Sequence, residues 1–352
     1  MPSAFGGSNS NSTGIVRTDI DANATTVTDQ AGKQRRSITN ALGQLIRVDE
    51  PDAGNQLGTA SSPNQDTSYA YDTLNNLITV SQGAQTRTFT YSSLSRLLSA
   101  TNPESGTISY GYDSNGNLLT KTDARGVKTD YVYDALNRVT NRNYSTPGGT
   151  PPNYQATPNV SYFYDNLPNA KGKLIKITTG TGATPLSVTE YQEFDLLGRV
   201  KQSQQWVEGT AYGVPMTYAY NLSGALIEQK YPSGRIVKNT LDSNGYLQQV
   251  QSQKSGGTLQ NYANSFTYTA AGAVSAMRLG NGKWESTQFN SRLQPIQIGL
   301  GASASSQNLF KLNYSYNTSG NADNNGNVLS QTITVPTIGA TQGFTATQTY
   351  TY

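Results

Sequence analysis

The chain has 352 residues, only 13% of them charged against a usual share of roughly 25%, and a net charge of +3. It contains no cysteine and no histidine, which excludes disulfides, thiolate nucleophiles, serine–histidine triads and ordinary zinc sites and leaves carboxylates, hydroxyls, Lys and Arg for any chemistry. The cations stand singly, densest at Lys33-Gln34-Arg35-Arg36, and no run of 18 apolar residues occurs, so neither nucleic acid nor membrane insertion is expected.

In chain order, residues 1–24 come first and are expected to be irregular. Their opening, MPSAFGGSNSNSTG, has no basic region followed by an apolar one, hence no visible signal peptide. From residue 25 onward the chain repeats itself. An aromatic residue, one spacer and a tyrosine recur at Tyr69/Tyr71, Phe89/Tyr91, Tyr110/Tyr112, Tyr131/Tyr133, Tyr162/Tyr164, Tyr218/Tyr220, Phe266/Tyr268, Tyr314/Tyr316 and Tyr350/Tyr352. Residues two apart on a strand share a face, whereas on a helix they splay apart. Each copy therefore predicts a β-strand with both rings on one side.

A turn follows each aromatic strand. The turn slot is held in order by Asn40, Asp72, Ser92, Asp113, Asp134, Asp165, Asp195, Asn221, Asp242, Thr269, Asn290 and Asn317. An aspartate there can accept backbone N–H bonds two residues on. Gly116, Gly198, Gly224, Gly245 and Gly272, or Asn75 and Asn137, supply the positive φ that reverses the chain. A second reversal lies between successive turns of this kind, as at Asp29-Gln-Ala-Gly32, Pro103-Glu-Ser-Gly106 and Asp123-Ala-Arg-Gly126. The base period is 20–21 residues with insertions, the clearest being a Pro/Gly-rich loop at about 143–160. Twelve units of two strands predict an all-β array of about 24 antiparallel strands, on the order of 110 Å wide, too wide to stay flat. The tyrosines are expected to stack from hairpin to hairpin as an aromatic ladder.

The motif Tyr-Asp-x-x-Gly/Asn-Arg/Asn-Leu, best kept at Tyr71–Leu77, Tyr112–Leu118 and Tyr133–Val139, resembles the Rhs/YD-repeat family over residues 25–352. Its repeat positions here are Tyr71, Asp72, Tyr91, Tyr112, Asp113, Gly116, Tyr133, Asp134, Tyr164, Asp165, Asp195, Gly198, Tyr220, Gly224, Asp242, Gly245, Tyr268, Gly272 and Tyr316. The resemblance implies a curved sheet or partial spiral shell, as in bacterial Rhs toxins, Tc toxin B and C subunits and teneurins. It implies a secreted or cell-surface parent, and partners that are a toxin cargo or neighbouring shell segments. The family's core segment, terminal plug and toxin are not recognisable here, so no self-cleavage is expected. The chain reads as a piece of a longer protein with an unpaired strand edge.

No catalytic residue, cofactor or metal is expected. The aspartates are explained as turn caps. Asn321-Ala-Asp323-Asn-Asn325-Gly326 begins like a calcium loop but has Thr332 where a bidentate Glu is needed, and Asp19-Ile-Asp21-Ala-Asn23 is weaker still. Gly180-Thr-Gly182 lacks the lysine of a phosphate loop. The reading is a non-enzymatic shell segment; the alternative is an extracellular carbohydrate-binding or adhesion surface in which the tyrosines stack on sugars.

Overall fold

The computed structural model describes residues 15–145, 157–180, 185–210, 213–318, 323–337, 339–340 and 342–351. Within them lie 27 β-strands, from β1 (Arg17–Asp21) to β27 (Phe344–Thr349), and no helix. Every strand pairs antiparallel with its neighbour in sequence, so the sheet is one unbroken meander.

The twelve repeat units account for β3 (Gln34–Thr39) to β26 (Ser330–Val335). Three strands lie outside that count: β1, β2 (Ala24–Thr28) and β27. The hairpin β1–β2 occupies part of the segment expected to be irregular, so the sheet's first described strand starts at Arg17. Its pairing, Arg17↔Thr28 to Asp21↔Ala24, closes through Ala22 at φ 52° and Asn23. Its strands are polar and β1 is fully exposed, which hides the alternation from a hydrophobic pattern. The expected loop at 143–160 is trimmed by β12 (Val139–Ser145) and β13 (Val160–Tyr164), with residues 146–156 outside the described ones.

The aromatic pairs share one face. Tyr110 is opposite Lys121, Lys121 opposite Thr129, and Tyr131, two residues beyond Thr129, opposite Arg142. Directly paired residues lie on the same side, so the pairs of β9 (Gly106–Tyr112) and β11 (Lys128–Tyr133) point the same way.

The two rims differ. Beside the turns that follow the aromatic strands, hereafter the YD rim, the register slips in every unit but the last, whose strands Phe310–Ser315 and Ser330–Val335 pair evenly. Ala70↔Thr79 gives way to Tyr71↔Leu77, Val132↔Asn141 to Tyr133↔Val139, and Gln288↔Gln297 to Phe289↔Pro295. One extra residue on the return strand is a β-bulge, which bends and twists its strand. At the opposite rim, Gln82↔Gln85 and Asn102↔Gly106 close without a slip. A bend repeated along one rim curls the whole sheet in one sense.

The curl brings distant parts together. Asn325, in the loop after β25 (Phe310–Ser315), donates from Nδ2 to Oδ2 of Asp29 at 3.0 Å. Asp29 caps the turn between β2 and β3, on the opposite rim, accepting from the N–H groups of Ala31 and Lys33. The YD rim of the late strands thus abuts the opposite rim of the early ones, which is a spiral stepping by one strand length per turn. The 23 strands from β3 to β25 give a circumference of about 110 Å and a diameter near 35 Å.

A spiral one sheet thick has little conventional core. The accessible surface is 21542 Å², where a compact monomer of 37.8 kDa exposes about 14,000 Å². The most enclosed charge is Asp49, fully buried on β4 (Leu45–Glu50), gripped by Arg36 Nε at 2.6 Å and Arg47 Nε at 2.7 Å. Both arginines also reach carbonyls of the 51–64 insertion, at Gly58 and Ala60. Asp49→Ala leaves two largely enclosed guanidiniums without their counter-charge. It is expected to lower the unfolding free energy by about 3 kcal/mol in denaturant titration, against under about 0.5 for Asp19→Ala on exposed β1.

Candidate functional site

Among the described residues no group of acidic side chains is placed to hold a metal ion, and the repeating feature is the junction between successive units. Three contacts build it.

The first is the turn cap. Asp134 Oδ1 accepts the N–H groups of Leu136 and Arg138 at 2.9 Å each, while Asn137 holds φ 59°. Asp72, Asp195 and Asp242 accept the equivalent pair, with Asn75, Gly198 and Gly245 at positive φ. Asp113 bonds Asn117 N at 2.8 Å, with Gly116 at φ 94°. Gly224 and Gly272 occupy the same position, at φ 94° and 84°. Asp165 differs: its loop is longer, it carries φ 69° itself, and its Oδ1 takes the N–H of Gly172.

The second contact is made by the second tyrosine of the pair. The ladder between units stops short of the YD rim: β10 (Leu118–Thr122) meets β11 only at Thr120–Thr122, and β12 meets β13 only at Asn141 and Arg142. Carbonyls nearer the rim have no strand partner on that side, and a buried carbonyl needs one. The phenol of Tyr133 donates to Leu118 O and that of Tyr164 to Val139 O, each at 2.9 Å. The same bond joins Tyr71 to Leu45, Tyr112 to Leu97, Tyr220 to Val200, Tyr268 to Leu247 and Tyr316 to Pro295. Burial pushes the phenols of Tyr91, Tyr133, Tyr164, Tyr220, Tyr268 and Tyr316 above their usual pKa, so they remain donors at neutral pH.

The expected aromatic ladder is corrected by this geometry. Aromatic strands alternate with Leu/Val strands, so rings of neighbouring units lie about 9.6 Å apart, beyond the 4.5–7 Å of a ring pair. Tyr246 and Tyr268 meet at 4.8 Å, tilted by 34°, because Tyr246 sits on the intervening turn. Units are joined by phenol-to-carbonyl bonds rather than by continuous stacking.

The third contact is one the sequence reasoning missed. The residue after the positive-φ position reaches forward to the next turn: Arg96 to Asp113 O at 2.8 Å, Asn117 to Asn137 Oδ1 at 2.8 Å, and Arg199 to Asn221 O at 3.3 Å. Arg138 is the strongest case, bonding Asp134 in its own turn and chelating Asp165 in the next at 3.0 and 2.6 Å. These guanidiniums lie over the next tyrosine ring, Arg138 at 4.4 Å from Tyr164 and Arg199 at 4.6 Å from Tyr220. The signal was the Arg or Asn recurring before the return strand. Sugar stacking on Tyr164 or Tyr220 would compete with these arginines for a ring face.

In the calcium-like segment, Asn321 lies outside the described residues. Asp323 accepts from Thr318, Asn324 is buried against Arg292 and Gln294, and Asn325 makes the bond to Asp29. Asp19 pairs with Arg17, and Gly182 lies outside the described residues.

A family model for the RHS repeat matches residues 112–151, which include two of the three motif copies quoted above. Residues 112–151 thus match the RHS repeat by sequence, and the other hairpins of the sheet repeat the same strand–turn–strand geometry. No curated protein matches the chain. Among solved structures, the complex of TcdB2–TccC3 without its hypervariable C-terminal region aligns with TM-score 0.77 at 18% identity, covering 96% of this chain and 18% of that one. The TcdB2–TccC3–Cdc42 structure aligns equally well, and the Tc holotoxin pore of Photorhabdus luminescens gives 0.76 at 18% identity over 96% of this chain. At 18% identity the likeness is one of fold, and the chain spans less than a fifth of the length of those matched chains.

The YD rim depends on ionised carboxylates. The amide of Asn76 holds the Asp72 carboxyl below its usual range, the backbone N–H groups of Arg138 and Arg199 do so for Asp134 and Asp195, and the Arg138 guanidinium does so for Asp165. A depressed folded pKa contributes stability that is complete above the unfolded pKa and is lost as pH falls through the folded value. The melting temperature is expected to be level from neutral pH to about pH 5 and to drop progressively below about pH 4; a curve flat to pH 2 would contradict the role given to these caps.

Proposed function

We propose that this chain is a wall segment of an Rhs shell whose parent protein encloses a polypeptide cargo, and that it acts by shape rather than by catalysis. The supporting observation is the spiral of a single-layer sheet whose late rim meets its early rim through Asn325 and Asp29. Allowing about 5 Å of side chain on each side, a 35 Å coil leaves a bore near 25 Å. A folded domain of 100 residues has a radius of gyration of about 13 Å and exceeds that bore. An extended or unfolded chain fits. The matched structures are toxin complexes, which agrees with a toxin as cargo and with an exported parent.

The test is protease protection. A marginally stable, protease-sensitive polypeptide of about 60 residues, fused after Tyr352, is expected to be cleaved about tenfold more slowly than the same polypeptide free. Cleavage at the rate of the free polypeptide, with the β-sheet intact by circular dichroism, would remove enclosure as the function.

A further inference from the structure

Six of the twelve turns of the YD rim carry an exposed leucine at their second or third position. Leu42, Leu74, Leu94, Leu136 and Leu197 take the third position of their turns and Leu222 the second of its own. Leu74, the least exposed of the six, still shows 55% of its surface, and Leu222 is fully exposed. On the opposite rim the third turn position holds Ala31, Arg125, Ser233 and Asn281. The six leucines belong to one rim and stand at six of its first eight turns, the turns of Asp113 and Asp165 being the exceptions. A single surface leucine needs no explanation, but six exposed along one stretch of one rim mark an interface.

We propose that the YD rim is a self-association surface whose occupant is the YD rim of a second copy of this chain, giving a two-fold dimer. The rim's charges do not oppose this: Arg138 is satisfied by Asp134 and Asp165, and Arg199 by Asp195, so two such edges meet without net repulsion. The opposite rim is a poorer partner for leucines, being polar at its short turns. Shape also permits it. The rim climbs as a helical ramp, and a ramp turned about a two-fold axis perpendicular to the spiral axis is the same ramp, so the two edges follow each other around the turn. The exposed leucines of one copy offer on the order of 800–1,000 Å², the share that one partner contributes to a standard interface. An isologous contact of this kind closes at two copies, unlike pairing through the free edges of β1 or β27, which continues without limit.

Sedimentation velocity on the 352-residue chain, from about 1 to 100 µM, is expected to show a monomer–dimer equilibrium that stops at two. Replacing three leucines at once, L136S, L197S and L222S, is expected to raise the dissociation constant at least about 30-fold with the β-sheet circular dichroism unchanged. Should that variant lose its β signal, L42S with L74S at another stretch of the rim serves the same reading. A monomer at all concentrations, a dimer indifferent to both variants, or growth beyond two copies would each overturn the proposal.

Discussion

A tyrosine phenol meeting an otherwise unpaired carbonyl is the constraint on which the rest of the structure depends. Backbone ladders close the opposite rim but stop before the YD rim, so neighbouring hairpins fan apart there. Without a substitute donor, the carbonyls of Leu118, Val139 and their equivalents would be half-buried and unbonded. The second tyrosine supplies that donor in seven of the twelve units, at 2.6 to 3.0 Å. Curvature and cohesion therefore come from one device: the bulge beside the turn opens the ladder, and the phenol spans the opening.

The same arrangement explains how a chain so poor in buried apolar side chains stays folded. Each unit touches only its neighbours, so stability accumulates along the sheet as it does in other repeat proteins. The turn carboxylate, the forward-reaching Arg or Asn and the phenol all act at this junction, and all three are polar. That accounts for a composition low in charge yet dense in Asn, Gln, Ser, Thr and Tyr. The Asn325–Asp29 bond is the exception in range, since it sets the step between turns of the spiral.

Much of this was legible in the sequence because the turn slot recurs twelve times and the aromatic pair nine. The Tyr-x-Tyr-Asp spacing defines a strand, a face and a turn, and the positive-φ residues sit where Gly116, Asn137 and Gly245 mark them. What escaped was either relational or unique. The stacking expectation failed because periodicity along the chain says nothing of the strand interposed between two aromatic strands. The Arg138 bridge to Asp165 joins residues 27 apart across the Pro/Gly-rich insertion, Asp49 is buried by a single insertion, and β1–β2 carries too few apolar residues to show a pattern. The Asn325–Asp29 contact joins residues 296 apart, a distance no local motif encodes.

The central claim is that the phenol bond, and not ring stacking, ties each unit to the one before it. Equilibrium denaturation of Tyr112→Phe, Tyr133→Phe and Tyr164→Phe, singly and together, measures it directly, because the ring is kept and only the donor is removed. The account predicts a loss of about 1 kcal/mol for each and about 3 for the triple change, the sites being far enough apart to add. A triple variant within about 0.5 kcal/mol of the parent would show that the rings alone hold the units together, and would contradict it.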